Sequence, residues 1–150
     1  MDATLERLIA HNVWAHKLYA EHLAKQDAPD PFALKMLSHN ANAEDVWFGR
    51  IAGITGVKYD VWRVLSAPEL VQVFLGSPER YQKAQQEGLA RKIQYTRPNG
   101  ETLISTVADI LTHLCVHAAH HRGQIAVHSS RLGTPMPYVD FIAYCRTAGV

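Results

Sequence analysis

The run THLCVHAAHHRGQIAVH, residues 112–128, constrains this chain more than any other stretch. It reads as one continuous helix in which positions four apart project from the same face, one turn above the other. At 100° per residue, His113, His117, His120, His121, Gln124 and His128 fall within an arc of about 100°. The other faces carry Leu111, Leu114, Cys115, Ala118, Ala119, Ile125 and Ala126. A helix that is apolar on most sides is usually buried, which predicts that the imidazole stripe points inward. Buried imidazoles without partners are costly, and a metal ion is the leading candidate to satisfy them.

Composition narrows what surrounds that helix. With 150 residues, 47% hydrophobic and 19% charged, the chain is long enough for one domain over residues 1–150 with a sizeable core. A formal net charge of +1, with no basic run interleaved with aromatics, argues against a nucleic-acid surface. The opening residues MDATLERLIAHNVW lack the basic and apolar regions of a signal peptide. No apolar stretch reaches the roughly 20 residues needed to span a bilayer, so no membrane role is expected. Two cysteines, Cys115 and Cys145, do not make a disulfide framework. The expected setting is cytoplasmic and reduced.

Apolar residues at helical spacing predict a first helix over 3–26. Asp30-Pro31 starts a second, since Asp caps free amides and Pro needs no N–H in the first turn. It should run to about Ala52, with Gly53 and Gly56 ending it. Residues 54–65 read as loop. Ser66-Ala67-Pro68-Glu69 matches a capping box and opens a third helical region to about Leu89. Gly76-Ser77-Pro78 predicts a kink there or two separate pieces. The segment KIQYTRPNGETLIST (92–106) reads as a small β-hairpin with a tight two-residue turn at Asn99-Gly100. Thr106 and Asp109 start the histidine helix, which stops at Gly133, and a short final helix is expected near Asp140–Thr147. The fold class is therefore all-α: a four-helix bundle with a small β-hairpin between the third and fourth helices.

His117 and His121 alone leave a metal under-coordinated, and His39 in MLSHNANAEDVW is the best third ligand. Three imidazoles with open positions form a catalytic type of site, whereas closed four-ligand sites are usually structural. Imidazole does not choose among zinc, nickel, iron, manganese and copper, with zinc or nickel the leading pair. Trp14, Trp47 and Tyr19 fit core packing, and His11 and His22 fit the surface or bundle edge. Arg50 lies on nearly the same face as His39, where an ion pair or an anionic substrate group could engage it. Arg122 is expected in a salt bridge behind the stripe, and Gly123 where helices pack closely. His128, about 16 Å along the axis from His117, cannot share its metal. Neither cysteine has an evident activating base, which argues against a thiol nucleophile.

HAAHHRGQI (117–125) resembles the H-x-x-x-H and R-G-Q helix of the DinB/YfiT-like family. The His39 to Trp47 spacing is similar to that family's second helix, HNVWAHKL to its N-x-W-A-N first-helix pattern, and VDFIAYCR to its D-F-I-A-Y tail. The resemblance covers nearly the whole chain. It implies a four-helix bundle of unusual helix order, a divalent metal on His39, His117 and His121, and a homodimer. It also implies a small-molecule substrate, with thiol-S-transfer or isomerisation using low-molecular-weight thiols as one activity in the family. His16 stands where the first-helix pattern usually has Asn, and could add a fourth ligand or a proton carrier. Asn12 and His16, on successive turns, are the candidate catalytic pair for orienting water or substrate. His113 and His120 lie outside the matched motif and read as supporting or interface positions. The competing expectation is a non-catalytic metal-binding helical dimer with a structural or stress-sensing role.

Overall fold

The computed structural model describes residues 3–147. Its elements in chain order are α1 (Ala3–Ala24), α2 (Pro31–Ile51), α3 (Ala67–Gln86), β1 (Lys92–Thr96), β2 (Thr102–Thr106), α4 (Val107–Arg131) and α5 (Phe141–Thr147). The four long helices close a circuit in the order α1, α3, α2, α4, so that α1 and α2, consecutive in sequence, lie diagonally. This is the all-α bundle with an inserted hairpin that the sequence pattern predicts.

Local chemistry sets most boundaries. Asp30 Oδ1 accepts from the Ala33 amide at 2.8 Å, with Pro31 in the first turn. Ser66 with Glu69, and Thr106 with Asp109, form reciprocal capping boxes at the starts of α3 and α4. Gly133, at φ +75°, follows the end of α4 in the left-handed conformation that favours glycine.

One expectation is narrowed and one corrected. Of the two alternatives at Gly76-Ser77-Pro78, the two-piece one is excluded, because α3 is one helix through Pro78. Gly76 and Pro78 face solvent, while Phe74, Ser77 and Tyr81 are buried on the opposite face. That packing outweighs the roughly 3 kcal/mol penalty of an interior proline. The hairpin pairs Thr96 with Thr102, and the Arg97 amide donates to the Glu101 carbonyl at 2.8 Å, leaving Pro98–Gly100 as a three-residue loop. A two-residue turn would pair Pro98 with Glu101, and proline has no N–H to contribute. Gly100 instead takes φ +85° at the third loop position.

The core is divided. One apolar cluster, including Ile9, Phe48, Tyr81, Val107 and Leu114, lies toward the hairpin. A second, including Leu23, Leu37, Leu70, Phe74 and Ile125, fills the other end. Between them lies a belt of buried polar side chains: Asn12 and His16 from α1, Asn40 and Glu44 from α2, Ser77 from α3 and Arg122 from α4. Tyr81 joins the belt through its hydroxyl.

Candidate metal centre

The histidine stripe does not point into the core. The buried face of α4 is Ile110, Leu111, Leu114, Cys115, Ala118, Arg122, Ile125 and Ser129, centred roughly 110° around the helix from the imidazoles. Those apolar residues claim the interior, and the histidines flank it at the α2–α4 seam. His117 and His121 are half-buried there, whereas His113 and His120 are exposed.

At that seam His39 meets the α4 pair. Ring centroids are 5.1 Å apart for His39–His117, 4.8 Å for His39–His121 and 4.5 Å for His117–His121. One nitrogen from each of the three lies within 4.8 Å of the others, and the trio could hold a metal ion. His121 Nε2 and His117 Nε2 are 3.2 Å apart. Two nitrogens on one metal at about 2.0–2.1 Å stand roughly 3.3 Å apart at a tetrahedral angle, so the spacing fits.

Neighbours fix the ring orientations. His39 Nδ1 donates to the Val61 carbonyl at 2.9 Å, and His121 Nδ1 to Gln124 Oε1 at 2.8 Å. Each bond puts the proton on Nδ1 and leaves Nε2 with a free lone pair. Gln124 is itself turned by His120, to whose Nε2 its amide donates at 3.3 Å. Burial, reinforced by the neighbouring imidazoles, lowers the His117 pKa to about 4, and burial also lowers that of His121. Both are neutral at pH 7, the form that ligates metals.

Val61 belongs to the loop 52–66, which α2 pins from beneath. Asn42 Nδ2 donates to the carbonyls of Arg63 (2.7 Å) and Val61 (3.3 Å), and Ser38 Oγ accepts from the Leu65 amide at 2.9 Å. Gly49 lets the loop approach, because a Cβ there would collide with the Tyr59 hydroxyl. Trp62, 50% exposed, stacks on His39 with centroids 4.1 Å apart. Val61 and Trp62 were not anticipated, since a loop has no periodicity to reveal them.

Asn12 and His16 are not brought to the triad. Both are 1% exposed, inside the polar belt. Arg122 Nη1 donates to Asn12 Oδ1 at 2.6 Å, and Asn12 Nδ2 donates to the Tyr81 hydroxyl at 3.1 Å. The Tyr81 hydroxyl then donates to Glu44 Oε1 at 3.3 Å, and Ser77 Oγ donates to Glu44 Oε2 at 2.7 Å. His16 stacks on Phe74, with Nδ1 3.6 Å from Glu44 Oε1. Asn40 Nδ2 donates to His16 Nε2 and to the Ala118 carbonyl, both at 3.3 Å. Asn40 thereby ties α2 to α4 directly behind His39 and His117. The readable signal for this belt was polar pairs at i, i+4 on three helices: Asn12/His16, Asn40/Glu44 and Ser77/Tyr81.

Other assignments shift too. Arg122 is 3% exposed and contacts Asn12 rather than a carboxylate. A Cβ on Gly123 would meet nothing within 4 Å, so it serves no close packing among the described residues. Arg50 forms no ion pair among the described residues; its guanidinium lies 4.5 Å from both the Trp47 and Tyr95 rings. His11 is buried rather than peripheral, its Nε2 donating to the Val139 carbonyl at 2.6 Å and its ring edge-on to Phe141 and Tyr144, which docks α5 on α1. His128 sits 3.3 Å from Asp30, away from the triad. Burial raises the Cys115 thiol pKa to about 12, which removes it as a nucleophile.

A helical bundle that brings three imidazoles from two of its helices to one point could hold a metal ion there. The chain belongs to the DinB family, whose sequence model matches residues 9–149, nearly its whole length. No curated protein and no solved structure matches it. Among the described residues, no helix is long and apolar enough to cross a membrane.

Proposed function

We propose that this protein is a metal-dependent enzyme in which His39, His117 and His121 hold a divalent ion, zinc or nickel foremost, for transfer or hydrolysis on a small molecule. The observation that carries this reading is the gathering of one nitrogen from each of three part-buried imidazoles, with the Nδ1 protons of His39 and His121 committed to Val61 and Gln124. A bound cation supplies Lewis acidity, which favours the deprotonated form of a thiol or water at neutral pH. The residues of the chain do the rest. Val61 and Gln124 hold two rings in the ligating tautomer, Asn40 maintains the spacing between α2 and α4, and Trp62 covers one face of His39. Asn12 and His16 serve from the belt as positioning residues. A low-molecular-weight thiol is the substrate class we favour, on family grounds.

The test has two parts. Elemental analysis of protein purified without a histidine tag should return about one divalent ion per chain, lost in His117→Ala. Titrating cobalt- or nickel-loaded protein with physiological thiols should shift the visible absorption. A metal-free wild type overturns the whole reading, and an unchanged spectrum with every thiol overturns thiol activation. A strong fall in folding stability on chelation, without any turnover, would favour a structural metal in its place.

A further inference from the structure

On the side of α4 turned away from the histidine stripe, a cavity of about 510 Å³ lies between α1, α4 and residues 136–141. That volume is within the range of small-molecule sites. Its walls are mainly apolar, with Leu8, Val116, Ala119, Met136, Val139 and Phe141 among them. Two buried polar side chains also line it: Arg122, 3% exposed, and Tyr19, 2% exposed.

Both have capacity to spare. Arg122 offers five N–H donors and, among the described residues, uses one hydrogen bond, Nη1 to Asn12 Oδ1. It forms no ion pair among the described residues. The Tyr19 hydroxyl likewise has no hydrogen-bond partner among them. Among the described residues, the side-chain atoms sealed from open space without a partner are His16 Nδ1 and Asn40 Oδ1; the spare donors of Arg122 and Tyr19 are not among them, and both side chains line the cavity. A guanidinium cannot shed its charge, and its belt carboxylate, Glu44, is reached only through Asn12 and Tyr81. At the rim, Asp140 is engaged by the Tyr138 hydroxyl at 2.6 Å, and His11 by the Val139 carbonyl.

We propose that this cavity is a binding site for a small organic carboxylate with an apolar body, its carboxylate on the Arg122 guanidinium and Tyr19 hydroxyl and its body against the apolar wall. A planar carboxylate matches the guanidinium fork. One buried cation in an apolar setting suits a monoanion, and a phosphate dianion would lack further cationic partners. The site is separate from the triad and does not depend on it.

Calorimetric titration of the full chain with octanoate tests this, with octanol, acetate and inorganic phosphate as comparison probes. Octanoate should bind with about one equivalent per chain, and at least tenfold more tightly than octanol, acetate or phosphate. Arg122→Leu also strips Asn12 of its partner, so the decisive variants are Tyr19→Phe, which should weaken octanoate about tenfold, and Ala119→Trp, which fills the cavity and should abolish binding. His117→Ala should bind octanoate like the wild type. The proposal is overturned if the wild type gives no heat, if octanol or phosphate equals octanoate, or if both decisive variants bind unchanged. Loss of binding in His117→Ala also overturns it, by placing the carboxylate at the triad.

Discussion

Acid should weaken this fold through His16. Its ring is 1% exposed, and burial lowers its pKa from 6.5 to about 4, with Glu44 at 3.6 Å opposing the shift and Arg122 and His11 adding to it. Native His16 thus stays neutral across a range in which the unfolded chain takes up a proton. Because the unfolded state binds more protons there, stability rises with pH: it is fully present above 6.5 and is lost as the pH falls toward 4. The span from 6.5 to about 4, at about 1.4 kcal/mol per pH unit, corresponds to about 3 kcal/mol. Set against a typical domain stability of about 5–15 kcal/mol, that loss is readily measured. Urea unfolding from about pH 7 to about pH 4.5 should be run on wild type and His16→Asn, both with chelator. Every other group is common to both proteins, so the difference between their slopes isolates residue 16. The wild type should lose about 2 kcal/mol more than the variant across this window, which stops short of the full span. Parallel pH curves would refute the reasoning, because burial of a neutral imidazole would then contribute nothing to acid sensitivity.

Three further outcomes follow from the same geometry. Glu44→Ala removes the acceptor for Ser77 Oγ and the Tyr81 hydroxyl, and bonds to a charged acceptor contribute about 1.5–3 kcal/mol each, so stability at pH 7 should fall by about 3–6 kcal/mol in urea titrations. A fall below about 1 kcal/mol would mean that the carboxylate does not hold the belt together. Gln124→Leu frees the Nδ1 of His121 and should reduce metal affinity about 10- to 100-fold in chelator competition, whereas unchanged affinity would show that another group sets that tautomer. Gly49→Ala should displace the Tyr59 hydroxyl and speed limited proteolysis within residues 52–66; cleavage at the wild-type rate would count against that packing.

Helix starts were legible because capping is a local matter. Asp30-Pro31, Ser66 with Glu69, and Thr106 with Asp109 each satisfy free amides within four residues, and tertiary structure had nothing to override. The pairing of His117 with His121 was legible for the same reason, being a single turn of one helix. His39 is different: its meeting with them depends on α2 packing against α4, and spacing within either helix could only nominate it. At Pro78 the local proline penalty does not split the helix, because Phe74, Ser77 and Tyr81 hold it in one piece through burial.

The direction of the histidine stripe was misread. On α4, polar and apolar residues share several faces, and the core follows the densest apolar arc rather than the widest chemical pattern. Arg122 stands within that arc. A buried arginine is rare enough that sequence reasoning sends it outward by default. It can stay inside only because α1 supplies Asn12, which accepts from it and passes the contact through Tyr81 to Glu44. The inward arginine and the outward histidines are therefore linked. With the interior of α4 assigned to Arg122 and the belt, the imidazoles are left at the α2–α4 seam, where His117 and His121 are half-buried and still open enough for a ligand to reach. Asn40, bonded to both His16 and the Ala118 carbonyl, is where the two halves of that arrangement meet. The polar belt is thus the part of the core that sets the distance between the helices carrying the triad.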